Sequence, residues 1–363
     1  MKQIRLFFLA LMLFGTGVGL HAQDIHYSLY NMSPLTLNPA LTGAFYGSIR
    51  VGGIYRDQWF SYSGSDGYVT PSAYIDSPIL RGFRDQDWIG VGGMFFQDKA
   101  GIGSLRTTAS KLSLAYHLGL GKKAKSVLTI GLQGGGVQRR VNVENFLFGN
   151  DFQNGEWTNT SSEPIVSSAA PDPDNPDGRE IKADYLDFAA GLMLRSNITD
   201  ESRFEIGFAV NHLTQPNESF RNSGTGGGGN NNVENALRRP MTILAHTRYE
   251  TALSEKVSFA PTAFFQTTRG ATEFAVQAWG GYMLDPTNPT KLNFGLGYRV
   301  GDAAQLLLGI DYKDLRVALS YDVTFSQLRN ANSYQGGLEL AAWYIFKIYK
   351  KPDITPTILC PHF

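Results

Sequence analysis

The chain has 363 residues, with 32 basic and 32 acidic side chains, 40 glycines, 23 phenylalanines, 17 tyrosines and one cysteine. The balanced charge offers no electrostatic case for nucleic-acid binding. The lone Cys360 excludes an internal disulfide framework and any multi-cysteine zinc site.

Residues 1–22 read as a secretory signal peptide. Lys2 and Arg5 precede an apolar run from Leu6 to Leu20, and Ala22 supplies a small residue before the cut. The run falls short of the ~20 residues that a membrane-spanning helix needs. Cleavage after Ala22 leaves Gln23 as the mature N-terminus and takes the protein out of the cytoplasm. Residues 23–46 contain YNMSPLTLNPALTGAF, with two prolines, little charge and no alternation. Proline does not fit a central strand, so this stretch is expected to be a hatch-like segment tucked into or against the body of the protein.

From 47 to 347 one pattern recurs. In KLSLAYHLGL (111–120), Leu112, Leu114, Tyr116, Leu118 and Leu120 alternate with Ser113, Ala115, His117 and Gly119. Strict alternation predicts a strand. Fourteen such segments follow one another, at 48–60, 69–79, 87–98, 105–119, 126–142, 183–197, 203–216, 237–252, 256–269, 271–284, 291–301, 303–313, 315–328 and 333–347. A soluble sandwich would pair its greasy face with Lys, Glu and Thr on the other; here the opposite face is small and weakly polar. Alternating strands of about ten residues are the signature of a transmembrane barrel. The predicted fold is all-β: a transmembrane antiparallel β-barrel of about 14 strands.

If the first strand runs outward, the even-numbered connections are short periplasmic turns, and the long ones, 143–182 and 217–236, lie outside. The leucine face of 112–120 then meets lipid. Trp59, Trp88, Tyr282, Trp343 and Tyr344, near strand ends, are expected in aromatic girdles. Asp311 and Arg316 should face each other across a two-residue Lys313-Asp314 turn as an inward ion pair. Residues 348–363 are expected to form a periplasmic C-terminal tail.

No catalytic constellation emerges from the histidines, and no GxSxG or HExxH motif is present, so neither an enzyme nor a cofactor is expected. PDPDNPDG (171–178) offers carboxylates of the kind that bind Ca²⁺, but Pro176 breaks the ligand spacing, which favours a solvated loop. GTGGGGNNN (224–232) lacks the ending of a phosphate loop. Cys360 and His362 have no further ligands beside them, so no metal is expected.

Three stretches carry a specific likeness. Asn38-Pro39-Ala40-Leu41-Thr42-Gly43 resembles the NPAxxG element that opens members of the PorP/SprF family. Tyr55-Arg56-Asp57-Gln58-Trp59 resembles that family's YRxQW, and Gly90-Val91-Gly92 with Gln97-Asp98-Lys99-Ala100-Gly101 resembles its GxG…DKAG turn. The likeness covers about residues 25–140 and rests on barrel pattern thereafter. GNDFQNGEWTNT stands where the family carries an NDP-like segment.

The resemblance implies an integral outer-membrane protein of the type IX secretion and gliding systems of Bacteroidota. It implies a non-enzymatic barrel that helps export or anchor an adhesin-like surface cargo bearing a C-terminal sorting domain. The implied partners are that cargo, periplasmic secretion or gliding components, and outer-membrane lipid, with no nucleic acid. It further implies roles for Asn38, Pro39, Ala40 and Gly43 in the N-terminal segment. Arg56, Trp59, Asp98, Lys99 and Gly101 would shape the first outer loops. The alternative is a FadL-like channel for hydrophobic small molecules, which the inward NPA-bearing hatch also resembles. There, Asn38-Pro39-Ala40 is a gate, and Phe264, Trp279 and Trp343 line a path.

Overall fold

The computed structural model describes residues 25–59, 67–81, 84, 86–101, 105–121, 125–142, 152–153, 156–157, 180–218, 238–269, 271–285, 287–327 and 329–348. The signal-peptide region, the 171–178 and 224–232 loops and the tail with Cys360 and His362 lie outside these residues.

Among the described residues, fourteen strands close into one antiparallel barrel. They are β1 (Ile49–Gln58), β2 (Tyr68–Ile79), β3 (Trp88–Ala100), β4 (Leu105–Leu120), β5 (Ser126–Asn142), β6 (Glu180–Asn197) and β7 (Ser202–Asn211). The second half comprises β8 (Thr242–Ala252), β9 (Val257–Thr268), β10 (Ala271–Asp285), β11 (Thr290–Arg299), β12 (Ala303–Tyr312), β13 (Leu315–Thr324) and β14 (Gln335–Phe346). Each strand pairs with its neighbour in sequence, and β14 returns to pair with β1. Closure leaves no sheet edge, which hydrocarbon requires because it supplies no hydrogen-bond partners. No described helix is long and apolar enough to cross a membrane.

The alternation is inverted relative to a soluble sheet. Leu112 is 76% exposed and Leu114 52%, while Ser113, Ala115 and His117 between them are buried. Leu186, Leu296 and Leu340 also lie on the outside. The predicted ion pair is present: Asp311 and Arg316 are direct partners across β12 and β13, and the guanidinium grips both carboxylate oxygens.

Three strand ends differ from expectation. The strand expected over 203–216 stops at Asn211, where His212 and then Gln215 take positive φ angles of 57° and 45°. The next begins at Thr242, after Pro240, rather than at 237. The strand expected over 315–328 ends at Thr324, beyond a register shift between Tyr321 and Val323. Two girdle assignments are also corrected. Trp88 turns inward and stacks on His117 at 4.4 Å, and half-buried Trp343 packs inward beneath the Arg316 guanidinium. Tyr282 and Tyr344 do face outward, while Trp59 sits at the rim, edge-on to Tyr68.

The two ends of the barrel are unlike. One carries only short connections, such as 121–125, 198–201 and 313–314; the other carries 143–179 and 212–241. At the latter end the β5–β6 pair projects beyond β7, because β7 pairs only with Ala190–Asn197 of β6. Short turns mark the periplasmic end of a bacterial barrel, so the projecting pair and the long connections are outside.

Candidate functional site

The lumen is filled by the chain's own N-terminal segment. Residues 27–45 are almost continuously buried, through short helical turns at Tyr30–Met32, Pro34–Leu37 and Pro39–Leu41. Pro34 and Pro39 each begin a turn, where a missing N–H costs no hydrogen bond and the fixed φ suits the helix. The barrel's inward residues form a core around this plug. Leu37, Ala40 and Leu41 pack with Met193, Leu244 and Phe264, while Leu29 and Met32 pack with Ile54, Trp279 and Leu307. Tyr30 stacks on Phe264 at 5.2 Å.

The NPA element has a built seat. Asn38 is fully buried; its Oδ1 accepts from Ala40 N at 2.9 Å, capping the following turn. Its Nδ2 lies 3.2 Å from the carbonyls of Leu192 and Phe208 and from His246 Nε2. The seat exists because three wall residues lack side chains. A Cβ on Gly131 would fall 2.3 Å from Ala40 N, one on Gly191 1.9 Å from Asn38 Oδ1, and one on Gly207 2.1 Å from His246 Nε2.

Polar wall side chains satisfy the plug's backbone, which is cut off from water. His117 Nε2 meets Thr42 O at 2.8 Å; since only an N–H can donate to a carbonyl, Nδ1 accepts from Thr129 at 2.9 Å. Gly43, at φ +69°, donates to Asp76 at 2.7 Å and accepts from Trp88 Nε1 at 3.0 Å. Arg50 holds the same Asp76 and reaches Leu41 O, while Arg195 holds Glu205 and reaches Ala44 O. Farther out, Glu339 accepts from Ser28 N at 2.8 Å and Leu29 N at 2.7 Å. Gln277, Gln133 and Tyr74 donate to the carbonyls of Ser28, Leu35 and Met32. Burial pushes the Tyr30 phenol up to about 12, so it stays neutral and shares a 2.5 Å hydrogen bond with Thr262.

The nine residues singled out from the sequence do not form one site. Asn38, Pro39, Ala40 and Gly43 lie together in the plug. Arg56 stands near the outer end of β1, bound to Glu339 at 2.6 Å and to the carbonyl of His26 at 3.1 Å. Asp98 accepts from Thr70 at 2.6 Å and, with Arg56, lines an outer cavity of about 420 Å³. Lys99 sits in the ladder opposite Val69 and Arg106. Gly101 takes a φ of +66° just after β3, and Trp59 follows β1 at φ 62°. The residues missed are the inward charges Asp76, Glu339 and Arg195 and the glycine seats. Their signal is a charge or glycine at an inward phase of an otherwise apolar alternation.

Among the described residues, no group of three or more His, Cys, Asp or Glu side chains is placed to hold a metal. The arrangement closes a lumen and binds a segment of the chain itself. A barrel with leucines on its outside and a lumen packed by its own N-terminal segment is an integral outer-membrane β-barrel protein. The family model described as Type IX secretion system membrane protein PorP/SprF matches residues 20–338, and the chain belongs to that family.

No curated protein matches the chain. Among solved structures, the P. putida toluene transporter TodX is similar at 12% identity and a TM-score of 0.48, covering 86% of this chain and 93% of that one. The CymD monoaromatic hydrocarbon channel is similar at 14% identity and 0.45, with 91% and 96% covered. A Pseudomonas aeruginosa FadL homologue is similar at 12% identity and 0.44, with 85% and 93% covered.

Proposed function

We propose that this protein is a non-enzymatic docking barrel of the type IX secretion system. It helps to export or anchor an adhesin-like cargo with a C-terminal sorting domain, held at its outer end. Arg56, Trp59, Asp98, Lys99 and Gly101 shape the outer rim for that cargo, and Asn38, Pro39, Ala40 and Gly43 keep the lumen shut beneath it. Residues 1–22 are a removed signal peptide, 23–46 the plug, 47–347 the barrel, and 348–363 a periplasmic tail available to secretion or gliding components.

The observation that supports this reading is the plug. A lumen whose axis is occupied by buried residues 27–45, bonded through backbone as well as side chains, suits a closed platform better than a channel. Thr36 of the turn Pro34–Leu37 lines the outer cavity, whereas Pro34 and Leu37 line a different one toward the short-turn end. The plug therefore stands between them. Phe264 and Trp279, which a channel would use as lining, are packed against Tyr30 and Leu29.

The test is a gentle-detergent pull-down of tagged protein from its native outer membrane, read by mass spectrometry. Docking predicts a large surface protein in near-equal amount, lost when 143–179 or 219–237 is deleted. A barrel that comes out alone, and takes up hydrophobic solutes faster with Pro39→Ala, would favour the channel.

A further inference from the structure

The cavity at the outer end of the lumen, about 420 Å³, falls within the size range of small-molecule sites. The plug closes its inner side, where Thr36 lines it. A molecule entering from outside is therefore held there rather than passed on.

The charged side chains of the cavity are engaged with one another. Lys111 Nζ donates to Asp187 at 2.6 Å, and His212 Nδ1 donates to the same carboxylate at 2.9 Å. Arg239 Nε donates to His212 Nε2 at 2.9 Å, which fixes that nitrogen as an acceptor and the imidazole as neutral. Glu218 takes Arg239 at 3.0 Å and Arg139 at 2.9 Å. Arg56 holds Glu339, and Asp98 accepts from Thr70.

The uncharged polar groups are not engaged in this way. Gln58, Tyr68, Thr107 and Asn211 line the same cavity from β1, β2, β4 and β7. They lie two residues from the buried inward residues Arg56, Thr70, Ala109 and Ala209, so alternation turns all four into the lumen. Among the described residues, none of these four side chains has a hydrogen-bond partner. Apolar surface lies beside them, from Met94, Phe96, Val137 and the Tyr185 ring.

This lining narrows the chemistry of an occupant. A charged ligand would have to take a partner from an existing ion pair and leave a charge uncompensated. A hydrocarbon would cover two amides and two hydroxyls without bonding them, and a site with such groups rejects molecules that cannot pair with them. A neutral ring bearing hydroxyl groups meets both kinds of surface. Its hydroxyls donate to and accept from amides and hydroxyls alike, and its C–H face packs on the aromatic rings.

We propose that the outer cavity is a binding site for an uncharged, polyhydroxylated ring: a neutral sugar, free or at the end of a surface glycan. The proposal does not rest on the cargo reading, because the purified barrel tests it with no cargo present.

The test is saturation-transfer NMR on the full-length protein in detergent, with glucose, galactose and mannose and their methyl glycosides as probes. Glucuronate, a sugar ring with a carboxylate, and toluene, a ring without hydroxyls, are the comparisons. At least one neutral hexose should bind, and should bind better than glucuronate or toluene. Tyr68→Phe and Thr107→Val each remove one hydroxyl with little change of shape, and each should weaken hexose binding about fivefold. Tyr298→Phe, on the outward face of β11, should leave it unchanged. Heat-modifiable gel mobility reports whether each variant closes.

Binding of methyl glycosides as well as free hexoses supports the end of a glycan as the occupant, and binding of free hexoses alone supports a free sugar. Absence of hexose binding overturns the assignment, as does equal binding to the wild-type protein and both lumen variants. Stronger binding of glucuronate or toluene at the same site overturns it too, by showing a cavity that reads charge or hydrocarbon. If a lumen variant does not close, the order of the probes on the wild-type protein decides the question.

Discussion

Asn38 occupies the space that a side chain on Gly191 would need: a Cβ there falls 1.9 Å from its Oδ1. Gly191→Ala should therefore displace the NPA turn, at a cost of about 1–3 kcal/mol, as for other overpacked cores. Gly136, whose added Cβ meets nothing within 4 Å, is the matched control. Urea midpoints of the two variants, with planar-bilayer conductance as a measure of lumen closure, test this. Equal midpoints and equal conductance would remove the close-approach account of the seat.

Glu339 binds Arg56 and two plug N–H groups while fully buried. Glu339→Ala leaves a guanidinium and two donors without that carboxylate, and should destabilise the protein by about 3–5 kcal/mol. The loss should appear first as protease cleavage before residue 45. Cleavage no faster than in the wild-type protein would show that the plug is held without this carboxylate.

Asp311 and Arg316 form a buried pair at the periplasmic end. Asp311→Ala alone should cost about 3–5 kcal/mol, whereas Asp311→Leu with Arg316→Met should lie close to the wild-type protein. A double-mutant cycle of unfolding free energies measures the difference. Additive single effects would mean that the two groups are not coupled.

Leu114 is half exposed in the middle of β4, facing hydrocarbon. Leu114→Arg should cost about 2–4 kcal/mol in a bilayer, the penalty for a cation near the midplane, and Leu114→Val much less. Folding titrations into phospholipid vesicles compare them. A tolerated arginine would place β4 away from lipid.

Much of this architecture is legible in the sequence because lipid acts as a solvent on one face. It forces Leu112, Leu114 and their counterparts into strict alternation, and the count of such runs equals the count of barrel strands. The Asp311–Arg316 pair was equally readable, since a two-residue turn fixes which residues oppose each other. The inward direction of Trp88 and Trp343 was not. Both lie near strand ends, where girdle and lumen positions look alike, and contacts distant in sequence decide between them: His117 and Gly43 O for Trp88, Arg316 for Trp343. The NPA element announced itself, but its seat did not. Gly131, Gly191 and Gly207 lie on three consecutive strands, β5, β6 and β7, but alternation alone gives no sign that their bare backbones meet the Asn38–Ala40 turn. The outer rim motif was likewise readable as residues but not as a place, because Arg56 is defined by Glu339, 283 positions away.

Arg56 and Glu339 are also direct partners across β1 and β14, the first and last staves of the barrel. The same carboxylate that bridges this seam holds the N–H groups of Ser28 and Leu29. The weld between the two ends of the sheet therefore includes the segment that precedes both. Joining the staves and stoppering the vessel are then thermodynamically one act: a weaker stopper loosens the seam, and an open seam releases the stopper.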